Sequence, residues 1–196
     1  MQKTAGILLF LAGAIVILGI ETAEMFYPGY SVSKYFISTL GASPPPHSII
    51  VEPSAFIFDT SMKAAGLLIA LAAYLFYKLK YKKHITAPVF LMGIGAFGVG
   101  TFPAFHPVVH PIFAALAFFS GGFGAILSST VIKGPFRPLS FILGSITLVF
   151  LLIGVFAPHT IVPLLGNGGT ERWVAYPALI WLLGYGGYLM GGNYSK

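Results

Sequence analysis

The chain has 196 residues, no cysteine and a formal net charge of +6, with 57% hydrophobic and only 8% charged residues. Soluble domains are about 25% charged, so this composition excludes an ordinary soluble fold. The absence of cysteine excludes disulfides, thiolate metal sites and a cysteine nucleophile. We therefore expect an integral membrane protein.

Six apolar runs are long enough to cross about 30 Å of hydrocarbon as helices. In chain order they are 6–26, 55–77, 87–105, 111–132, 139–157 and 174–191. We predict an all-α, polytopic integral membrane protein, a six-transmembrane-helix bundle in which residues 1–196 form a single transmembrane helical domain.

Basic residues predict the orientation of this bundle, because cytoplasmic loops carry an excess of lysine and arginine. With both termini cytoplasmic, eight of the eleven basic residues lie inside: Lys3, Lys78, Lys80, Lys82, Lys83, Lys133, Arg137 and Lys196. We expect a multi-pass protein of the cell membrane with membrane lipids as partners, anionic lipids at 78-KLKYKK-83, and no nucleic-acid partner.

The acidic residues and most histidines gather at the opposite, outer end. They are Glu21, Glu24, Glu52, Asp59 and Glu171, with His47, His106, His110 and His159. Ionisable groups at membrane helices cost free energy and are typical of functional sites. The chemistry is therefore predicted to face outward.

The outer connections 27–54 and 158–173 are the long ones in this topology. Within the first, 31-SVSKYFISTL-40 predicts a short interfacial helix with Tyr35, Phe36 and Leu40 at the membrane surface. In the second, Glu171 and Arg172 precede the sixth run, where they either anchor the helix or, for Arg172, hold an anionic group.

Two histidines in the stretch 100-GTFPAFHPVVHPIF-113 suggest a metal site. His106 and His110 are four residues apart, a spacing with which helical histidines bind zinc, and His159 is a candidate third ligand. The prolines after both histidines favour instead a tight turn with the rings at the headgroups. Haem is disfavoured, because two histidines on one helix face cannot bind opposite sides of one iron.

A second group of polar residues lies near the start of the second run. Asp59 and Lys63 are four residues apart with Ser61 between them, so the two charges either neutralise each other or belong to a site. Glu21 and Glu24 share a face of the first run at about the same level. Together with Asp59 they predict an acidic cluster.

The stretches 27-YPGYSVSKYFISTLGA-42 and 56-FIFDTSMKAAG-66, with the Phe-Pro and His after the third run, resemble a prokaryotic membrane family known as domain-of-unknown-function family 998. The resemblance covers most of the chain. It implies six helices and no particular mechanism. Tyr30 and Ser31 lie in its most specific part, and we count both as candidate substrate-binding residues.

A looser similarity is to the ceramidase and progestin-receptor-like membrane hydrolases, in which histidines, an aspartate and a serine surround a water-activating zinc ion. His106, His110, Asp59 and Ser61 supply the same residue types. Those enzymes have seven helices and a histidine near the serine, whereas this chain has six predicted spans and no histidine near Ser61.

Our leading hypothesis is a metal-dependent hydrolase acting on a lipid or lipid-linked substrate at the outer surface. Zinc would be held by His106, His110 and His159, and the catalytic candidates are Asp59, Glu24 and Ser61. The substrate-binding candidates are Lys63, Arg172, Glu21, Tyr30 and Ser31. One alternative is a protein that binds or transports a small solute or ion. With only six helices, we expect such a protein to form a homo-oligomer. The other alternative is a non-catalytic accessory membrane subunit.

Overall fold

The computed structural model describes residues 1–191, and all regular structure within them is helical. Six long helices are α1 (Gln2–Met25), α2 (Ser54–Lys78), α3 (Lys83–Thr101), α4 (Val109–Ser128), α5 (Phe136–Phe156) and α6 (Pro158–Gly191). A 3-10 helix, Ile37–Leu40, lies in the connection from α1 to α2, which we call the α1–α2 loop. Lys196, used in the orientation argument, lies outside the described residues.

Five of the helices, α1 to α5, are long and apolar enough to cross a membrane, which supports the prediction of a multi-pass membrane protein. The third helix ends at Thr101, four residues before the predicted end. Pro103 explains this difference, because the residue before a proline avoids the helical conformation. Phe102 accordingly has φ −121° and ψ 81°.

Helix α6 begins earlier than predicted, because most of the expected outer loop 158–173 is helical. The helix is interrupted at Gly166, whose φ of +73° and ψ of 173° are not helical. Glycine tolerates this conformation because it lacks a Cβ atom. Residues 158–165 and 167–191 are therefore two helical parts that meet at a bend.

The six helices form a closed ring, in which each helix packs on the next one and α6 packs on α1. Neighbouring helices run antiparallel, so the first turns of α1 lie beside the last turns of α6, as shown by Gly6 against Gly186. We call the end with the α1–α2 loop and the start of α4 and α6 the acidic end. The opposite end, with the α2–α3 and α4–α5 connections, is the basic end.

A polar network near the basic end holds α6 against α4 and α5. The indole nitrogen of Trp181 donates a hydrogen bond to Ser128 Oγ at 2.9 Å. Ser140 Oγ donates to the carbonyl of Ala125 at 2.7 Å. Because these polar groups are buried, the bonds fix the position of α6 in the ring.

Candidate functional site

Arg172, near the start of the second part of α6, is only 8% exposed. Its guanidinium forms an ion pair with Glu24 at the end of α1 and donates a hydrogen bond to Tyr30 Oη at 3.1 Å. It also donates to the carbonyls of Val32 and Gly168, both at 3.1 Å. We call Glu24, Tyr30 and Arg172 the Arg172 cluster. It joins α1, α6 and the α1–α2 loop.

Tyr30 extends this cluster into the loop. Its hydroxyl donates to the carbonyl of Phe36 at 2.9 Å, and its ring lies 5.7 Å from the guanidinium carbon of Arg172. Burial raises the pKa of Tyr30 to about 12, so the hydroxyl keeps its proton at neutral pH. The rings of Tyr27 and Tyr35 pack against it at 5.5 Å and 5.8 Å between centroids.

Glu171 holds the 3-10 helix of the loop. Its carboxylate accepts a hydrogen bond from the Ile37 N–H, which satisfies one of the free donors at the start of that helix. At the other end, Ser54 Oγ donates to the carbonyl of Leu40 at 3.1 Å. Leu40 is fully buried, so its predicted place at the membrane interface is wrong, whereas Tyr35 and Phe36 are exposed. With its polar groups satisfied, the 3-10 helix packs inward.

The bend in α6 is the place where the α1–α2 loop docks. The Gly168 N–H donates to the carbonyl of Ser33 at 3.0 Å. A Cβ atom added at Gly168 would lie 2.1 Å from the Tyr35 carbonyl oxygen, and one at Gly166 would lie 2.0 Å from that of Ser33. Glycine is therefore required at both positions for the loop to approach. Ser31 lies in this loop, where its hydroxyl contacts that of Ser33 at 3.3 Å.

His110 is 7% exposed, and its Nδ1 lies 2.8 Å from the carbonyl oxygen of Phe102. A carbonyl only accepts, so we assign the proton to Nδ1, which leaves Nε2 with a free lone pair. The His110 N–H also donates to the His106 carbonyl at 3.1 Å, so a single hydrogen-bonded turn links the two histidines, although α4 begins only at Val109. Pro111 permits it because proline is tolerated in the first turn of a helix.

The three predicted metal ligands differ in how far they are buried. His106 is half-buried against the Phe105 ring, at 4.3 Å between centroids, and His159 is exposed at the start of α6. Within residues 1–191 there is no group of three or more histidine, cysteine, aspartate or glutamate residues that could hold a metal ion. Zinc binding by His106, His110 and His159 stays a prediction.

Asp59, Ser61 and Lys63 lie on α2 and do not line the cleft beside His110 that is described below. Asp59 Oδ1 is buried without a hydrogen-bond partner, and no ion pair joins Asp59 to Lys63 in the described part of the chain. Ser61 faces α1, where a Cβ atom added at Gly19 would lie 2.2 Å from its Oγ. Glu21 is exposed and contacts the Tyr176 hydroxyl at 3.4 Å. The predicted acidic cluster is thus divided among separate partners.

A cleft of about 690 Å³ lies at the acidic end between the α1–α2 loop, α4, α5 and α6. Its polar lining residues are Ser38, His110, Asn167, Thr170 and Glu171, and most of the others are apolar. A separate cavity of about 70 Å³ lies inside the ring.

Ser38 and Thr170 were not predicted, because a single hydroxyl in an apolar chain forms no sequence pattern. Glu171 was predicted only as a helix anchor.

Six long helices, five of them apolar enough to cross a membrane, define a multi-pass helical membrane protein. The family model described as Protein of unknown function (DUF998) matches residues 10–187. The chain therefore belongs to this family, as its resemblance predicted. No curated protein and no solved structure matches the chain.

Replacing Arg172 by methionine should release the α1–α2 loop. The change leaves Glu24 without its cation, and breaking a buried pair in this way costs about 3–5 kcal/mol. Lys34 is exposed and is the single basic residue in the loop, so trypsin cleavage there reports loop release. We expect cleavage of the detergent-purified Arg172→Met protein to be about tenfold faster or more, because local opening exposes the chain.

Two controls separate loss of the pair from general damage. Glu24→Gln/Arg172→Met removes both charges and should restore much of the resistance to trypsin, because no unpaired charge remains. Glu21→Gln removes an exposed carboxylate and should leave the cleavage rate unchanged. Equal cleavage of the native and Arg172→Met proteins would show that the Arg172 cluster does not hold the loop.

Proposed function

We propose that the protein binds the apolar chain of a lipid or lipid-linked molecule in the cleft, with the polar head of the molecule beside His110 and Glu171. The observation that carries this proposal is the division of the cleft into a polar and an apolar part. His110 stands near the start of α4 and Glu171 near the start of the second part of α6, whereas Phe118 lies eight residues further along α4, about 12 Å deeper. This arrangement suits an amphipathic ligand.

The size of the cleft supports the same proposal. Pockets that hold small organic ligands measure about 300–1,000 Å³ and combine an apolar lining with a few polar groups. The cleft, at about 690 Å³, falls within this range. His110 offers a hydrogen-bond acceptor at Nε2, and Thr170 and Ser38 carry hydroxyl groups. These groups would orient the head while the chain occupies the apolar part.

We further propose that α6 is the sixth membrane span, over residues 174–191, and that both termini are cytoplasmic. Ile180 on this helix is 51% exposed, as expected of a side chain that faces lipid, while Trp181 is buried in the ring. Seven of the ten basic residues within 1–191 lie at the basic end, which favours a cytoplasmic location for it. The cleft would then lie in the outer half of the membrane.

Single-cysteine variants test this topology directly, because the chain has no cysteine of its own. A membrane-impermeant maleimide applied to intact cells should label His47→Cys and Thr160→Cys, both at exposed positions of the acidic end. Lys82→Cys and Gly191→Cys should react only after permeabilisation. A Cβ atom at Gly191 meets nothing within 4 Å, so this variant should fold. Labelling of Gly191→Cys in intact cells would contradict a sixth span.

Filling the cleft tests ligand binding. Ala114 lines the cleft on α4, and Ala114→Phe should occupy the space of the bound chain. Native mass spectrometry of the detergent-purified protein should show a co-purified lipid on the native chain and about tenfold less on the variant, which corresponds to about 1.4 kcal/mol. Ile112→Phe is the matched control, because Ile112 lies on the same helix and is 61% exposed. The absence of bound lipid on the native protein, or equal amounts on all three, would refute the proposal.

A metal-dependent hydrolase is a second candidate function, and the hydrogen bond of His110 favours it. Histidines that bind metals usually donate their other ring N–H to a carbonyl or carboxylate, as His110 does to Phe102. Zinc held by His110 with His106 and His159 would activate a water molecule for attack on a lipid ester or amide. Of the two candidate bases, Glu24 is paired with Arg172, whereas Asp59 has an unpartnered oxygen.

Metal analysis of the detergent-purified protein tests this second candidate. Elemental mass spectrometry should find about one zinc ion per chain, lost in His106→Ala/His110→Ala because two imidazole ligands are removed. Ile112→Phe should keep its zinc. A native protein without zinc would remove the hydrolase candidate and leave lipid binding in place.

A further inference from the structure

We propose that the cavity inside the helix ring receives the end of a single hydrocarbon chain, and that the ligand is a single-chain lipid alcohol of the monoacylglycerol type. This inference rests on the proposed function of the cleft. The inference adds where the chain ends, how many chain ends the cavity accommodates and which head group the protein prefers.

The cavity lies among five of the six helices. Its apolar lining includes Val16 of α1, Phe58 of α2, Ala96 of α3, Ala117 of α4 and Leu179 of α6. Apolar cavities stay dry and accept small apolar groups, and the few polar residues of this lining lie at the acidic end. A hydrocarbon chain is therefore a better occupant than water or an ion.

The cleft and the cavity share part of their walls. Ser38, His110, Ala114, Phe118 and Glu171 line both of them. The polar residues of this shared set lie at the acidic end, and Ala114 and Phe118 follow along α4. A chain whose head lies beside His110 can therefore pass along α4 from the cleft into the ring.

The size of the cavity limits it to the end of one chain. A cavity of about 150 Å³ accepts one benzene molecule, and the present cavity has about 70 Å³. The end of one slender chain fits this space with small side-chain shifts, whereas the ends of two chains do not. Met62 and Met92 line the cavity, and methionine adapts its shape readily.

The polar groups at the entrance select the head. Nε2 of His110 accepts hydrogen bonds, and so does the carboxyl group of Glu171, whose pKa is raised to about 7 by burial. A head that donates hydrogen bonds matches them, whereas an anionic phosphate or carboxylate would meet no lysine or arginine among the described residues that line the cleft. The geometry thus favours hydroxyl groups at the head.

The test measures binding of monoacylglycerols with eight to eighteen carbons to the full chain in phosphatidylcholine nanodiscs, by native mass spectrometry. On the native protein, binding should strengthen with chain length. Ala96→Leu fills the cavity from α3 and should weaken binding of the eighteen-carbon compound about tenfold, with little effect on the eight-carbon one. Ala87→Leu, at an exposed position of α3, is the matched control. Ala117→Leu fills the cavity from α4 and replaces Ala96→Leu if that variant does not fold.

The possible results distinguish this inference from the proposed function. If Ala96→Leu and Ala117→Leu bind all chain lengths as the native protein does, the cavity does not hold the chain end, but lipid binding in the cleft stands. If fatty acids with the same chains bind as tightly as monoacylglycerols, the preference for a hydroxyl head is wrong. If the native protein binds none of these compounds, both the inference and the proposed function fall.

Discussion

The buried positive charge of Arg172 is the constraint on which the acidic end of the bundle depends. A guanidinium with 8% exposure needs a counter-charge and several acceptors, because an unpaired charge in this position would cost several kcal/mol. Glu24 supplies the charge, and Tyr30 and Val32 supply acceptors from the α1–α2 loop. The loop is thereby held across the end of the ring and does not extend along the membrane surface.

The position of the loop determines the shape of the cleft. Once Arg172 and Gly168 bind the segment around Val32 and Ser33, the following 3-10 helix lies within reach of Glu171. Ser38 then becomes part of the cleft wall, opposite α4 and α5. Glycine is needed at position 166 for this approach, because a side chain there would collide with the loop backbone. The docking of the loop and the shape of the cleft are consequences of the same packing.

Composition and apolar runs predicted the helices well, because lipid requires long apolar segments with all backbone groups bonded internally. Local chemistry explains the differences: Pro103 ends α3 early, and Gly166 allows a bent helix where a loop was expected. Family membership was also predicted correctly from the Tyr27–Ala42 region and the second run. The prolines beside His106 and His110 favoured a tight turn, and His106 indeed lies in a bend before α4, which begins at Val109.

The candidate site was harder to predict, because it depends on contacts between distant parts of the chain. Glu24 and Arg172 are 148 positions apart, and each alone suggested a catalytic or substrate-binding role where the structure shows an ion pair. Asp59 and Ser61 share residue types with known hydrolases, yet they face the loop and α1 and do not line the cleft beside His110. Residue type indicates possible chemistry, but packing decides which groups meet.

The most direct test of the account is an experimental structure of the protein in lipid nanodiscs, obtained by electron cryo-microscopy with an antibody fragment bound to the basic end. We predict elongated density that begins within hydrogen-bond distance of His110 and continues past Phe118 toward the interior of the ring. Lipid density confined to the outer helix faces, with the cleft closed by its own side chains, would contradict the account.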